Sequence, residues 1–118
     1  MNINKTPALL PAICLFLLAL PAAAQGIKTS RQAVSQVIKS VEKHKLTTLK
    51  TECLMFVDEE TAKSYLVDVR EKHDEQCGGD PQTAPRLFSY EIDKRSGKMK
   101  TDAPAPDAEW TGEYRDID

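Results

Sequence analysis

The chain has 118 residues, with 16 basic and 18 acidic side chains, two histidines and a formal net charge of −2. It has no basic stripe with interleaved aromatics, which argues against a nucleic-acid binder. The length allows one small domain.

The chain opens with the three parts of an export signal. Lys5 precedes an apolar run that begins at Leu9 and Leu10 and continues from Ile13 through Cys14 to Leu20. Pro21 breaks that run just ahead of Ala22-Ala23-Ala24, and Gln25 follows. A basic start, a short apolar core and an Ala-x-Ala ending predict a signal peptide over residues 1–24, cut after Ala24. The mature chain is therefore expected in the periplasm or outside the cell. A retained anchor would use the same run, but the small residues behind it favour cleavage. The run is short for a membrane span, Pro11 and Pro21 bracket it, and no second apolar stretch follows, so no stable membrane insertion is expected after cleavage. A lipoprotein would place its cysteine behind small residues at the end of the run. Cys14 instead follows Ile13 within it, and reads as one more apolar residue of the signal.

Cleavage leaves Gln25–Asp118, a chain of 94 residues with two cysteines, Cys53 and Cys77. A domain this small often recruits a covalent staple, and an even cysteine count in an oxidising compartment reads as a disulfide. A Cys53–Cys77 bond would close a loop of 25 residues, which contributes roughly 3 kcal/mol if the stabilisation is entropic.

Charge divides the mature chain into a domain, residues 25–101, and a tail, residues 102–118. The first holds 14 basic against 12 acidic side chains; the second holds six acids against Arg115. With Ala103-Pro104-Ala105-Pro106 and no apolar period, the tail is expected to be extended or disordered. It reads as a solvated end or as a segment engaging a basic partner. Trp110 and Tyr114 give a purely solvated tail little purpose, and suggest that it is pinned back on the domain.

Within the domain, Thr29 with Gln32 three residues on makes a candidate capping box. Val34, Val37, Ile38 and Val41 share one helical face with Ala33, which predicts a helix from about Ser30 to His44. The period then changes to two. Leu49, Thr51, Cys53, Met55 and Val57 alternate with Lys50, Glu52, Leu54, Phe56 and Asp58, a strand with apolar residues on both faces. Asp58-Glu59-Glu60-Thr61 reads as a turn. Tyr65, Val67 and Val69 mark a second strand continuing toward Lys72, and Phe88, Tyr90 and Ile92 a third. Lys94-Arg95-Ser96-Gly97 is a turn in which Gly97 is free to take positive φ, and Met99 lies on a short last strand. One helix packed on an antiparallel sheet of about four strands is an α+β fold.

Two segments carry a family resemblance. Ser64-Tyr65-Leu66-Val67-Asp68-Val69, followed by Tyr90-Glu91-Ile92-Asp93-Lys94-Arg95-Ser96-Gly97-Lys98-Met99, resembles the end of a PepSY-like domain. There a helix precedes a Y-x-V-x-V strand and a V-D-x-x-T-G-K-V hairpin. The resemblance covers about 70 residues and implies a small extracytoplasmic α+β fold and a binding or protease-modulating role. The cysteine pair and the long loop from His73 to Pro85 depart from that pattern, so only the architecture carries over.

That loop, extended to Arg86, holds the densest chemistry of the chain. Gly78 and Gly79 permit unusual backbone angles, and Pro81 and Pro85 stiffen the second half of the loop. Pinned at Cys77, a stiff polar loop loses little entropy on binding, which suits recognition. The other reading is simple connection between two strands. The candidate binding residues are His73, Asp74, Gly78, Gly79, Asp80, Pro81 and Arg86.

Sharper chemistries fit less well. A transition metal would draw on His73, Asp74, Glu75 and Cys77, but an oxidised cysteine is no ligand and no second histidine cluster exists. His44 stands at the helix end, where it equally suits capping the last carbonyls. Calcium would use Asp74, Glu75 and Asp80, which lack the alternating acids of a known loop. A Cys77–His73 nucleophile needs a free thiolate. No phosphate loop and no Ser-His-Asp set can be assembled, so no metal and no cofactor is expected. The sequence points to a non-catalytic binding protein with a protein partner in the cell envelope, of inhibitor or immunity type. The competing expectation is a small metal-binding protein or hydrolase using the His73–Cys77 loop. A structural envelope component is a third.

Overall fold

The structure is a computed structural model describing residues 26–118; the expected signal peptide, Cys14 and the cleavage point lie outside the described residues. The fold is α+β. A single helix, α1 (Ser30–His44), precedes five strands: β1 (Leu54–Glu60), β2 (Ser64–Glu71), β3 (Arg86–Asp93), β4 (Met99–Thr101) and β5 (Arg115–Ile117). They form one antiparallel sheet in chain order, β1-β2-β3-β4-β5.

The helix starts where its cap stands. Thr29 is extended, and its hydroxyl accepts the Gln32 amide at 3.1 Å. The Gln32 side chain returns not to Thr29 but to the Lys28 amide, at 2.8 Å, so the box closes one residue early. Ala33, Val37 and Val41 are buried against the sheet, with Val34 packed beside them. The sheet supplies Tyr65, Val67, Val69, Phe88, Tyr90 and Ile92 to the same core, as the period-two pattern requires. One polar pair is sealed in between: Ser40 Oγ and Tyr90 OH lie 2.8 Å apart. Burial pushes the Tyr90 phenol up to about 12, against the opposing pull of that bond.

The N-terminal segment clips onto the β3–β4 hairpin, where the Ile27 amide donates to Lys94 O at 2.8 Å. In that hairpin Asp93 Oδ1 accepts the amides of Arg95 and Ser96, which holds its carboxyl below the usual range. Gly97 closes the turn at φ +72°, the conformation that its lack of a Cβ allows.

Three expectations change. The sheet has five strands, not four, because part of the acidic end folds: Met99 pairs with Ile117 and Thr101 with Arg115. Asp102, Ala103 and Ile117 are buried. The first strand begins at Leu54 rather than Leu49, since Thr51–Cys53 is a turn of 3-10 helix. Asp58-Glu59-Glu60 is not the turn either; these residues continue β1, opposite Val67, Leu66 and Tyr65. An edge strand tolerates such a run, because charged side chains there stay wet and discourage further strand pairing.

Candidate functional site

The segment from Lys72 to Pro85 leaves β2 and returns as β3, and a covalent bond fixes its middle. Cys53 and Cys77 form a disulfide with Cα atoms 5.5 Å apart. A second tie joins the same two places, since the Lys72 amide donates to Cys53 O at 2.8 Å. A disulfide in a small domain fits an oxidising compartment.

Local hydrogen bonds build the rest of the loop. Asp74 Oδ1 accepts the amides of Gln76 (3.0 Å) and Cys77 (2.7 Å), and Asp74 O accepts the Gly78 amide at 2.8 Å. The Cys77 bond, then the Gln76 bond, hold the Asp74 carboxyl below its usual range against its partial desolvation. Asp80 repeats the device, its Oδ1 accepting the Gln82 amide at 3.0 Å. Both are the side-chain turns that aspartate forms readily.

His73 closes the structure. Its side chain is only 12% exposed, with Nε2 at 2.7 Å from Glu71 Oε2. Nδ1 lies 2.8 Å from Asp80 O and 3.1 Å from Thr83 Oγ1. Facing acceptors at both nitrogens, the ring is best satisfied as an imidazolium donating twice. The Glu71 bond first, then the Asp80 carbonyl, raise its pKa against desolvation. The stabilisation is therefore complete below the unfolded value of about 6.5 and is lost as pH rises through the higher folded value. The His73 ring resonance followed by NMR should titrate with a midpoint above about 6.5, and Glu71→Gln should move that midpoint down. A midpoint at or below the free value would contradict the double-donor clamp.

The two glycines have different reasons. Gly78 (φ +77°) and Gly79 (φ +83°) both require left-handed backbone, but a Cβ on Gly79 would lie 2.6 Å from the His73 ring while one on Gly78 meets nothing within 4 Å. Gly78→Ala is expected to cost about 1 kcal/mol of backbone strain. Gly79→Ala adds displacement of the ring and should cost roughly twice as much. Urea midpoints compare them, and equal losses would mean that the ring does not rest on Gly79.

The loop thus gathers His73, Gly79 and Asp80 at one clamp, and Asp74 with Gly78 at one turn. Pro81 is exposed beside the clamp. Arg86 stands apart, at the start of β3. A register shift between Val69 and Arg70 sets Arg70 opposite Arg86. Arg86 Nη1 donates to buried Asp102 (2.8 Å) and to Ser89 Oγ (3.1 Å). Ser89 Oγ donates in turn to Asp68 at 2.6 Å, and Asp68 meets Arg70 at 3.2 Å. Arg70 reaches Ala84 O at 2.9 Å, which ties this network to the loop. The Asp102 carboxylate makes the Arg86 guanidinium harder still to deprotonate. Sequence reasoning missed Asp68, Ser89 and Asp102; burial of an acid inside an apparent tail has no sequence signal.

Tyr114 lies on the open sheet face, around a small recess lined also by Val57, Leu66, Asp68 and Ser89. Trp110 is exposed. His44 does not cap carbonyls: its Nε2 lies 2.6 Å from Asp118 Oδ1, which also accepts Lys43 at 2.9 Å. Burial alone would raise the Asp118 carboxyl, but bonds from Ser40, Lys43 and His44 hold it far below the usual range. Among the described residues no three His, Cys, Asp or Glu side chains are gathered to hold a metal ion. No helix among them is long and apolar enough to cross a membrane.

The fold and the site define a disulfide-stapled α+β domain with a prebuilt polar loop. No family model matches the chain, and no curated protein or solved structure matches it significantly.

Proposed function

We propose that the protein is an exported, non-catalytic binding protein of the cell envelope whose stapled loop recognises a protein partner, as an inhibitor or immunity-type protein would. The observation that carries this reading is the construction of the loop. One disulfide, two aspartate turns and the His73 clamp fix a backbone whose outer residues, from Gln82 back to Glu75, stay largely exposed. A segment already ordered loses little entropy on association, and polar side chains on a rigid frame give specificity.

Export is supported by the pattern of residues 1–24 and by the oxidised cysteine pair. The PepSY-like resemblance of residues 64–69 and 90–99 supports a binding role for a small extracytoplasmic domain. The competing hydrolase reading loses its nucleophile, because Cys77 is bonded to Cys53 and offers no thiolate.

Affinity capture from envelope extract, with the exported protein as bait, tests the proposal. One stoichiometric partner is expected, and Glu75→Arg with Gln82→Arg should abolish its capture while the thermal midpoint stays within about 2 °C of the parent, since both side chains are exposed. Undiminished capture by that variant would remove the loop from the interface.

A further inference from the structure

A second surface shares no residue with the loop. Along α1 runs a groove of joined hollows. The first, of about 420 Å³, includes Arg31, Gln36 and Lys39. The next, of about 340 Å³, shares Gln36 and Lys39 with it and adds Lys43. The third, of about 550 Å³, continues through Met99 and Asp118 and adds Lys98 and Lys100. Its far bank is β5, the last strand of the sheet, whose outer edge pairs with no other described strand.

The groove carries more cations than carboxylates. Five cations line it, against Asp116 and Asp118, and Glu91 and Asp93 join Asp116 beside Lys98 and Lys100 in the adjoining recess. Asp118 is already engaged by Lys43 at 2.9 Å and His44 at 2.6 Å. Of the five cations, Arg31, Lys39, Lys98 and Lys100 belong to no ion pair among the described residues. All four unpaired cations are exposed. On a chain of net charge −2, this concentration of positive charge is a local feature that favours an anionic ligand.

From this geometry we infer that the groove between α1 and β5 docks an extended, acidic polypeptide segment of a partner protein. The chemistry is complementary in two respects. The lysines and Arg31 offer point charges to Asp and Glu side chains, and the elongated channel beside an open strand edge accommodates an extended backbone. Met99 and Ile117, on its floor, supply apolar contact for alternate side chains of such a segment.

Fluorescence anisotropy tests it with the exported protein and a labelled twelve-residue peptide in which Glu alternates with Val. An otherwise identical peptide with Gln for Glu is the neutral probe, and heparin the non-peptide polyanion. The Glu peptide should bind, the Gln peptide at least about tenfold more weakly, and raising the salt from low to physiological strength should weaken the former. Lys39→Glu with Lys98→Glu should reduce binding at least about tenfold, each change being on an exposed side chain. Glu75→Arg with Gln82→Arg should leave it unchanged, which separates this surface from the loop. Absence of binding, equal affinity for the Gln peptide, or full displacement by heparin at equal charge would overturn the assignment.

Discussion

Replacing Asp102 by Ala is expected to destabilise the protein by about 3 kcal/mol, a large effect for a residue that composition assigns to a solvated tail. The side chain is 6% exposed and accepts from both Arg86 Nη1 at 2.8 Å and the Ser89 amide at 2.6 Å. Alanine leaves that amide without its acceptor and removes the counter-charge of Arg86. Asp102→Asn keeps an oxygen for the Ser89 amide and should lose only about 1 kcal/mol. Arg86→Ala leaves the buried carboxylate uncompensated and should fall near the first variant. Adding Asp102→Asn to Arg86→Ala should then recover part of the loss. Urea unfolding of the four variants measures this. A loss below about 0.5 kcal/mol for Asp102→Ala would place the residue in solvent.

Removing the disulfide should act at comparable strength and more locally. In Cys53→Ser with Cys77→Ser, the unfolded chain regains the freedom of the closed loop, a change of about 3 kcal/mol. For a domain of this size that corresponds to a fall in Tm of about 12–24 °C. The double substitution is the cleaner variant, since a single one leaves a reactive thiol. The amides of Cys77 and Gly78 should exchange faster well below the unfolding transition, because Asp74 alone then holds the turn. The buried strand amides around Val67 and Tyr90 should change only in step with global stability. Acceleration of the Cys77 and Gly78 amides no greater than that of the strand amides would mean that the bond staples the fold and not the loop.

Element length decides how much of this fold the sequence discloses. The helix spans four turns with Ala33, Val37 and Val41 recurring on one face, so its period is plain. β2 and β3 alternate over eight residues each, enough to mark both strands and their inner faces. β5 has three residues, Arg115-Asp116-Ile117, with one apolar side chain. No period can be read from that; its existence depends on Met99 and Thr101 lying opposite. Leu49, Thr51 and Cys53 alternate as a strand would, yet the Cys53 amide bonds back to Lys50 O at 2.8 Å and makes a 3-10 turn. Short windows do not distinguish the two conformations.

The candidate site divides in the same way. The glycines, prolines and cysteine of residues 73–86 mark a stiff pinned loop, and the disulfide joins the two cysteines expected to pair. The clamp on His73 is set by Glu71, Asp80 and Thr83, and no spacing in the sequence assigns a histidine to three such partners. Arg86 stands in the chain next to the loop, but its partner Asp102 is sixteen residues away. Only the bulge at Val69/Arg70 and the β3–β4 hairpin bring the network together.

Recognition through the stapled loop is tested most directly by site-specific photocrosslinking in the living cell envelope. A photoreactive residue at Gln82, exposed in the loop, should trap one protein as a single higher-mass species, and the Cys53→Ser, Cys77→Ser background should eliminate that species. The same probe at Lys63, exposed between β1 and β2, should trap none. Absence of any product at Gln82, or the same product from Lys63, would contradict recognition through this loop.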